Sequence, residues 1–182
     1  MSQKDYKIAI VENLLTRENH LRGIAKALQT NQTTISRKIK ELYEGNVVDY
    51  RMMGKNKVFF LKKNIEAKQM ACLAELHKVL VAITKYPRLR IVVEKIRQNP
   101  TINLAVLFGS YAKGTAHKDS DIDIYIETTD RKIKEEVSHI DSKLSVKIGL
   151  YNLQDLLIKE IEKNHIVLKG VEEYYEKYSF FR

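Results

Sequence analysis

The chain has 182 residues, 44% of them hydrophobic, which suits one ordinary domain or two small ones and excludes an intrinsically disordered chain. Its net charge is +9, and the excess lies in the N-terminal third: residues 1–63 carry 13 basic and 6 acidic side chains, residues 64–182 carry 19 and 17. A polar start, no apolar run of membrane-spanning length and a lone Cys72 argue against secretion or membrane insertion, so a cytoplasmic protein is expected, with no membrane partner.

The basic third opens with helical spacing over residues 5–15, where Tyr6, Ile10, Val11, Leu14 and Leu15 recur on one face. A second short helix is expected over 20–28, with Leu21, Ile24, Ala25 and Leu28 inward. Asn31 can cap a third helix reaching about Glu44, closed by Gly45. Ile35, Ile39 and Leu42 form its buried stripe, and the opposite face carries Gln32, Thr33, Ser36, Arg37 and Lys40, groups suited to phosphates and base edges. Strands over 47–51 and 57–61 follow, joined by residues 52–56 with Gly54 at the turn.

Three helices and a hairpin, with the run IAKALQTNQTTISRKIKELYEGNVV, resemble the winged helix-turn-helix domains of prokaryotic regulators. The resemblance implies DNA as partner, with the helix from Gln32 in the major groove and the wing around Lys55 and Lys57 on the backbone or minor groove. Winged helices also serve as protein-interaction or dimer modules. The local positive charge favours DNA.

Residues 64–85 read as a long helix without glycine or proline, and Leu73, Leu76, Leu80 and Ile83 form a short coiled-coil-like seam. The seam packs within the chain or pairs two copies as a homodimer; the dimer is slightly favoured. Pro87 opens a further helix over 88–98, and Pro100 precedes a strand. The expected division is a winged helix at 1–63, a helical linker at 64–99 and an α/β domain, with a mixed sheet and flanking helices, at 100–182.

The third part holds the most informative pattern. The apolar run 102–108 suits a buried strand. Gly109 permits a tight turn, and Ser110 can cap a short helix whose free N–H groups favour phosphate. After the turn, residues 121–126 alternate, with Ile122, Ile124 and Ile126 on one face and Asp121, Asp123 and Tyr125 on the other. The two carboxylates then lie about 7 Å apart along the strand, a spacing that suits Mg²⁺ or Mn²⁺. Five histidines are scattered, and only His117, in the intervening loop, stands near this pattern.

Gly109-Ser110, a gap, then Asp121-Ile122-Asp123 resembles the signature of the DNA polymerase beta-like nucleotidyltransferases, most closely their minimal prokaryotic and archaeal members. The resemblance implies that Gly109 and Ser110 bind the phosphates of a nucleoside triphosphate. It implies catalytic, metal-binding roles for Asp121 and Asp123, with Mg²⁺ or Mn²⁺ as cofactor. The implied reaction moves a nucleoside monophosphate onto a hydroxyl of a protein, nucleic acid or small molecule. The family's third carboxylate, on a neighbouring strand, is not found: Lys147 or Gly149 stands in the expected slot of strand 143–151. Asp141, Asp155, Glu127 and Asp130 lie outside that slot. The alternative is therefore a transcriptional regulator, or an antitoxin-like protein with a toxin partner, whose degenerate domain only binds nucleotide.

Beyond residue 130 a helix is expected at 131–141, a strand at 143–151, a helix from Asn152 to about 163, an apolar segment at 165–169, a break at Gly170 and a last helix at 171–178. Tyr174, Tyr175 and Tyr178 could stack on a base, but their helical spacing favours packing.

Overall fold

The computed structural model describes residues 5–177 and 181. The chain divides into two compact units, with the boundary between Ala74 and Glu75.

In the first unit, helix α1 (Tyr6–Thr16) starts at Asp5, whose carboxylate accepts from Lys7 N at 2.9 Å and buries Ile10, Val11 and Leu14 behind it. Helix α2 (Leu21–Ala27) is capped by His20, whose Nδ1 accepts from Gly23 N at 3.1 Å. A turn with Gln29 at φ +54° leads to helix α3 (Gln32–Glu44), capped as expected by Asn31, which accepts from Thr34 N at 2.7 Å. Ile35, Ile39 and Leu42 are its buried stripe.

Gly45 does not close α3 through a left-handed turn: its φ is −78°, and Asn46 takes φ +60° instead. The short amide side chain tolerates that conformation, and here it is held by hydrogen bonds to Lys62 and to Glu66 (2.9 Å). Strands β2 (Val48–Met53) and β3 (Asn56–Leu61) make a longer hairpin than expected, paired up to Met53 and Asn56 around a two-residue turn with Gly54 at φ +60°. A two-residue strand, β1 (Asn19–His20), joins the far side of β3 to give the order β1-β3-β2. It is too short to leave a periodic trace in sequence. Three helices with this small antiparallel sheet are a winged helix fold.

Helix α4 (Ile65–Lys85) contains the unit boundary. Ala67, Ala71, Ala74, Val79 and Ala82 are buried, whereas Leu73, Leu76 and Leu80 are 47%, 42% and 59% exposed. Three of the four seam positions are thus exposed, whereas Ile83 is partly buried and packs against the core of the second unit.

In the second unit come α5 (Leu89–Gln98), β4 (Ala105–Phe108), α6 (Gly109–Ala112), β5 (Ile122–Glu127), α7 (Arg131–Ser138), β6 (Leu144–Gly149), α8 (Leu156–Lys163), β7 (Ile166–Lys169) and α9 (Val171–Lys177). The sheet order is β6-β5-β4-β7, with β5 and β6 parallel and the other pairs antiparallel. The crossover through α7 permits the parallel pair. Ala105, Leu107, Ile122, Ile124, Ile126 and Val146 pack against Val92, Val93 and Ile96 of α5 and Ile133 and Val137 of α7.

Several expected bounds shift for local reasons. The strand expected from 102 begins its pairing only at Ala105, because Asn99 turns the preceding chain by accepting from Thr101 N at 2.9 Å; Ile102 and Leu104 are fully buried all the same. Helix α8 is capped by Asp155, which accepts from Leu157 N at 2.7 Å, whereas Asn152 makes a separate turn with Gln154 N. The apolar segment near 165–169 is strand β7. Tyr174 and Tyr175 are buried, in keeping with packing; Tyr178 lies outside the described residues. Among the described residues no helix is long and apolar enough to cross a membrane.

Candidate functional site

The sheet of the second unit has two unlike faces. One carries the isoleucines of β5 into the core. The register places Asp123 beside Ser145 and Tyr125 beside Lys147 on the other. The Tyr125 end of this second face is closed by aromatic rings: Tyr125 meets Tyr151 at 5.6 Å, and Tyr151 meets Tyr174 at 6.1 Å. The Glu162 carboxylate accepts from the Tyr151 hydroxyl at 2.5 Å and from that of Tyr174 at 2.8 Å. Burial first, and the Glu162 charge second, push both phenols far above their ordinary range.

At the Asp123 end the face meets the Gly109 turn. Phe108, the last residue of β4, is the register partner of Asp123. Gly109 then bends the chain at φ +70°, and a β-carbon there would overlap the Asp123 carboxylate. Only glycine lets the turn close this tightly on the acid. Ser110 is not the cap of α6, contrary to expectation: it lies within the first turn, and no side chain caps that helix. The loop to β5 is pinned by Lys85 Nζ on Gly114 O (2.7 Å), by Lys143 on Lys118 O and by His117 N on Ser120 Oγ (2.8 Å).

Asp121 is exposed just before β5, and Asp123 is half-buried within it. Burial raises the Asp123 pKa above the usual carboxylate value; a hydrogen bond with Ser145 opposes the rise, Asp121 adds to it and Lys147 lowers it. The structure thus brings together Gly109, Asp121 and Asp123, with Ser110 adjoining. The residue directly beside Asp123 on β6 is Ser145, one step nearer than Lys147.

Three other acids near the pattern have structural partners. Arg88 grips Asp141 through two hydrogen bonds of 2.5 and 2.6 Å. Asp130 caps α7 by accepting from Lys132 N at 2.8 Å, and Asp155 caps α8. Glu127 ends β5, about 13 Å along the strand from Asp123. Among the described residues no three His, Cys, Asp or Glu side chains cluster in a way that could hold a metal ion.

In the first unit, Gln32, Thr33, Ser36, Arg37 and Lys40 all lie exposed along the outer side of α3, and Lys55 and Lys57 are exposed on the wing. A cleft of about 650 Å³ between helix and wing is lined by Gln32, Ser36, Lys40, Lys55 and Lys57 among others. Thr33 and Arg37 lie outside that lining. Sequence patterning missed Arg22, Tyr43 and Tyr50, which also face the cleft. Tyr43 stands seven residues beyond Ser36, two turns along the same helix face, a signal that was available. The Lys57 ammonium lies 3.9 Å above the Tyr50 ring, which orients the wing lysine.

Residues 91–173 match the family model for polymerase beta, nucleotidyltransferase. This stretch is a nucleotidyltransferase domain of the polymerase beta type. Gly109, Ser110, Asp121, Asp123 and Ser145 all fall inside it. Among solved structures, the chain is similar to the homodimeric winged helix-turn-helix DNA-binding domain of Mb0332 from Mycobacterium bovis, at 24% identity, covering 43% of this chain and 69% of that one with a TM-score of 0.35. It is also similar to Rv0081 from Mycobacterium tuberculosis, at 18% identity, covering 47% and 83% with a TM-score of 0.37. No curated protein matches the chain.

The nucleotidyltransferase domain presents a donor set of two neighbouring carboxylates beside the Gly109 turn. That set fits one Mg²⁺ or Mn²⁺ ion, which retains water and phosphate oxygens in its shell. It does not fit a pair of protein-held ions, because Ser145 and Lys147 occupy the adjoining strand positions.

Proposed function

We propose that this chain is a DNA-binding protein whose nucleotidyltransferase domain takes up a nucleoside triphosphate together with one divalent cation. The observation that carries this reading is the closure of the Gly109 turn onto the Asp123 carboxylate. It sets backbone N–H donors next to cation ligands, as a metal-bound triphosphate requires. Gly109 and Ser110 bind the outer phosphates, and Asp121 and Asp123 hold the cation. A bound cation supplies charge neutralisation and polarisation of the phosphoryl group. Lys147 adds positive charge on the same sheet face.

In the first unit, α3 enters the major groove with Gln32, Thr33, Ser36, Arg37 and Lys40, and the wing lysines Lys55 and Lys57 contact the backbone or minor groove. The exposed Leu73, Leu76 and Leu80 support homodimer formation through α4, which would present two winged helices to a symmetric DNA site. The cytoplasm is the compartment that fits this reading.

Transfer of a nucleoside monophosphate onto a hydroxyl is the second reading. The retained Asp121 and Asp123 pair beside the turn favours it. The neutral Ser145 next to Asp123 favours a nucleotide-responsive regulator that does not turn its ligand over. Calorimetric titration with magnesium and each nucleoside triphosphate tests the binding reading: saturable binding is expected, lost in Asp121→Ala/Asp123→Ala, and its absence from the wild type would sink the proposal. Incubation with α-labelled triphosphates and candidate acceptors separates the two readings. Label transferred above the level of the double mutant establishes the enzyme.

A further inference from the structure

We propose that Ser145 restricts the Asp121 and Asp123 pair to a single divalent cation, which enters only together with the triphosphate. The inference rests on the nucleotide reading above and adds what that site admits. Ser145 and Asp123 are direct partners in the parallel ladder of β5 and β6, so both side chains leave the same face at adjoining positions. At that position a serine offers a hydroxyl and no charge. A neutral side chain thus stands at the β6 position directly beside Asp123.

Charge around the pair points the same way. Lys147 follows on the same face, about 7 Å further along the strand, and offsets part of the acids' charge. Three nearby acids are otherwise engaged: Asp141 is bound to Arg88, and Asp130 and Asp155 cap helices. Two carboxylates beside an ammonium hold a divalent ion weakly, since such an ion surrenders water only to several charged oxygens. A triphosphate seated on the Gly109 turn provides those oxygens and reverses the balance. A second ion would need a further anionic ligand and would meet the Lys147 charge.

Manganese binding to the full chain, followed by electron paramagnetic resonance with and without a non-hydrolysable triphosphate analogue, tests this. Wild type should bind one ion per chain with the analogue, and at least about tenfold more weakly without it. Ser145→Asp should bind manganese about tenfold more tightly than wild type in the absence of analogue, and take up a second ion in its presence. Ser145→Ala should stay at one ion. Two ions on the wild-type chain, equal affinity with and without analogue, or a Ser145→Asp chain that behaves as wild type would each overturn the inference and leave the nucleotide reading standing. Failure of wild type to bind the analogue at all would overturn both. Wild-type stoichiometry decides the matter even if Ser145→Asp does not fold.

Discussion

Gly109 sits with its bare α-carbon against the Asp123 carboxylate, at the point where β4 turns into α6. The phosphate turn and the acid pair are therefore one structural unit. Neither can be altered without disturbing the other. Gly109→Ala should be costly twice, since φ +70° disfavours a side chain by roughly 1–2 kcal/mol and the new methyl must displace the carboxylate. A lowered melting temperature together with loss of triphosphate binding is expected. A variant that binds as wild type would show that the turn tolerates displacement of Asp123.

Arg88 and Asp141 form a two-pronged ion pair that ties the start of α5 to the loop before β6. The hydrogen bond from Arg88 holds the Asp141 carboxyl below its ordinary value of 3.8. A depressed folded pKa contributes stability that is fully present above the unfolded value and is lost as pH falls through the folded one. Melting temperatures of wild type and Arg88→Ala should differ at neutral pH and converge as the pH drops below about 4. A gap that persists unchanged in acid would assign the effect of Arg88 to packing instead.

DNA affinity should fall steeply with salt, because the exposed lysines and arginine of α3 and the wing displace counterions from phosphates. Lys40→Ala and Lys55→Ala should each reduce the salt slope by about one and weaken all sequences alike. Gln32→Ala should instead relax sequence preference, by about 1–3 kcal/mol at one position. Fluorescence anisotropy across a salt series measures both. Salt-independent or absent binding would make the winged helix an interaction module.

Leu76 and Leu80 are 42% and 59% exposed on α4. Changing both to glutamate should leave the monomer's fold intact, since neither side chain is buried in it. Sedimentation equilibrium should give twice the chain mass for wild type and the single chain mass for the variant. Wild type sedimenting as a monomer at all concentrations would remove the dimer.

Much of this molecule is legible in one dimension. The helices of the winged unit announce themselves because each carries a local stripe and a capping side chain, as with Asn31 and the Ile35, Ile39, Leu42 row. The Gly109-Ser110 and Asp121-Ile122-Asp123 pattern is legible for the same reason: its parts lie within one short strand-turn-strand segment. Features that depend on remote partners were not legible. Asn46 adopts the left-handed turn because Lys62 and Glu66 hold its side chain, and β1 exists only because β3 lies alongside it.

By itself, the sequence determined two parts, a basic helical one and one with a phosphate-type turn and paired acids, since propensity, spacing and charge are local properties of the chain. Which residue stands beside Asp123 was decided by tertiary structure. In sequence the slot falls at Lys147 or Gly149, but alternation along β6 assigns only a parity, and the register of β6 on β5 sets Ser145 beside Asp123 instead. The fate of Asp141 was likewise set in three dimensions, where Arg88 claims it, whereas Asp130 and Asp155 cap the helices that directly follow them. A carboxylate's chemistry follows from the partner that reaches it, and that partner can lie anywhere in the chain.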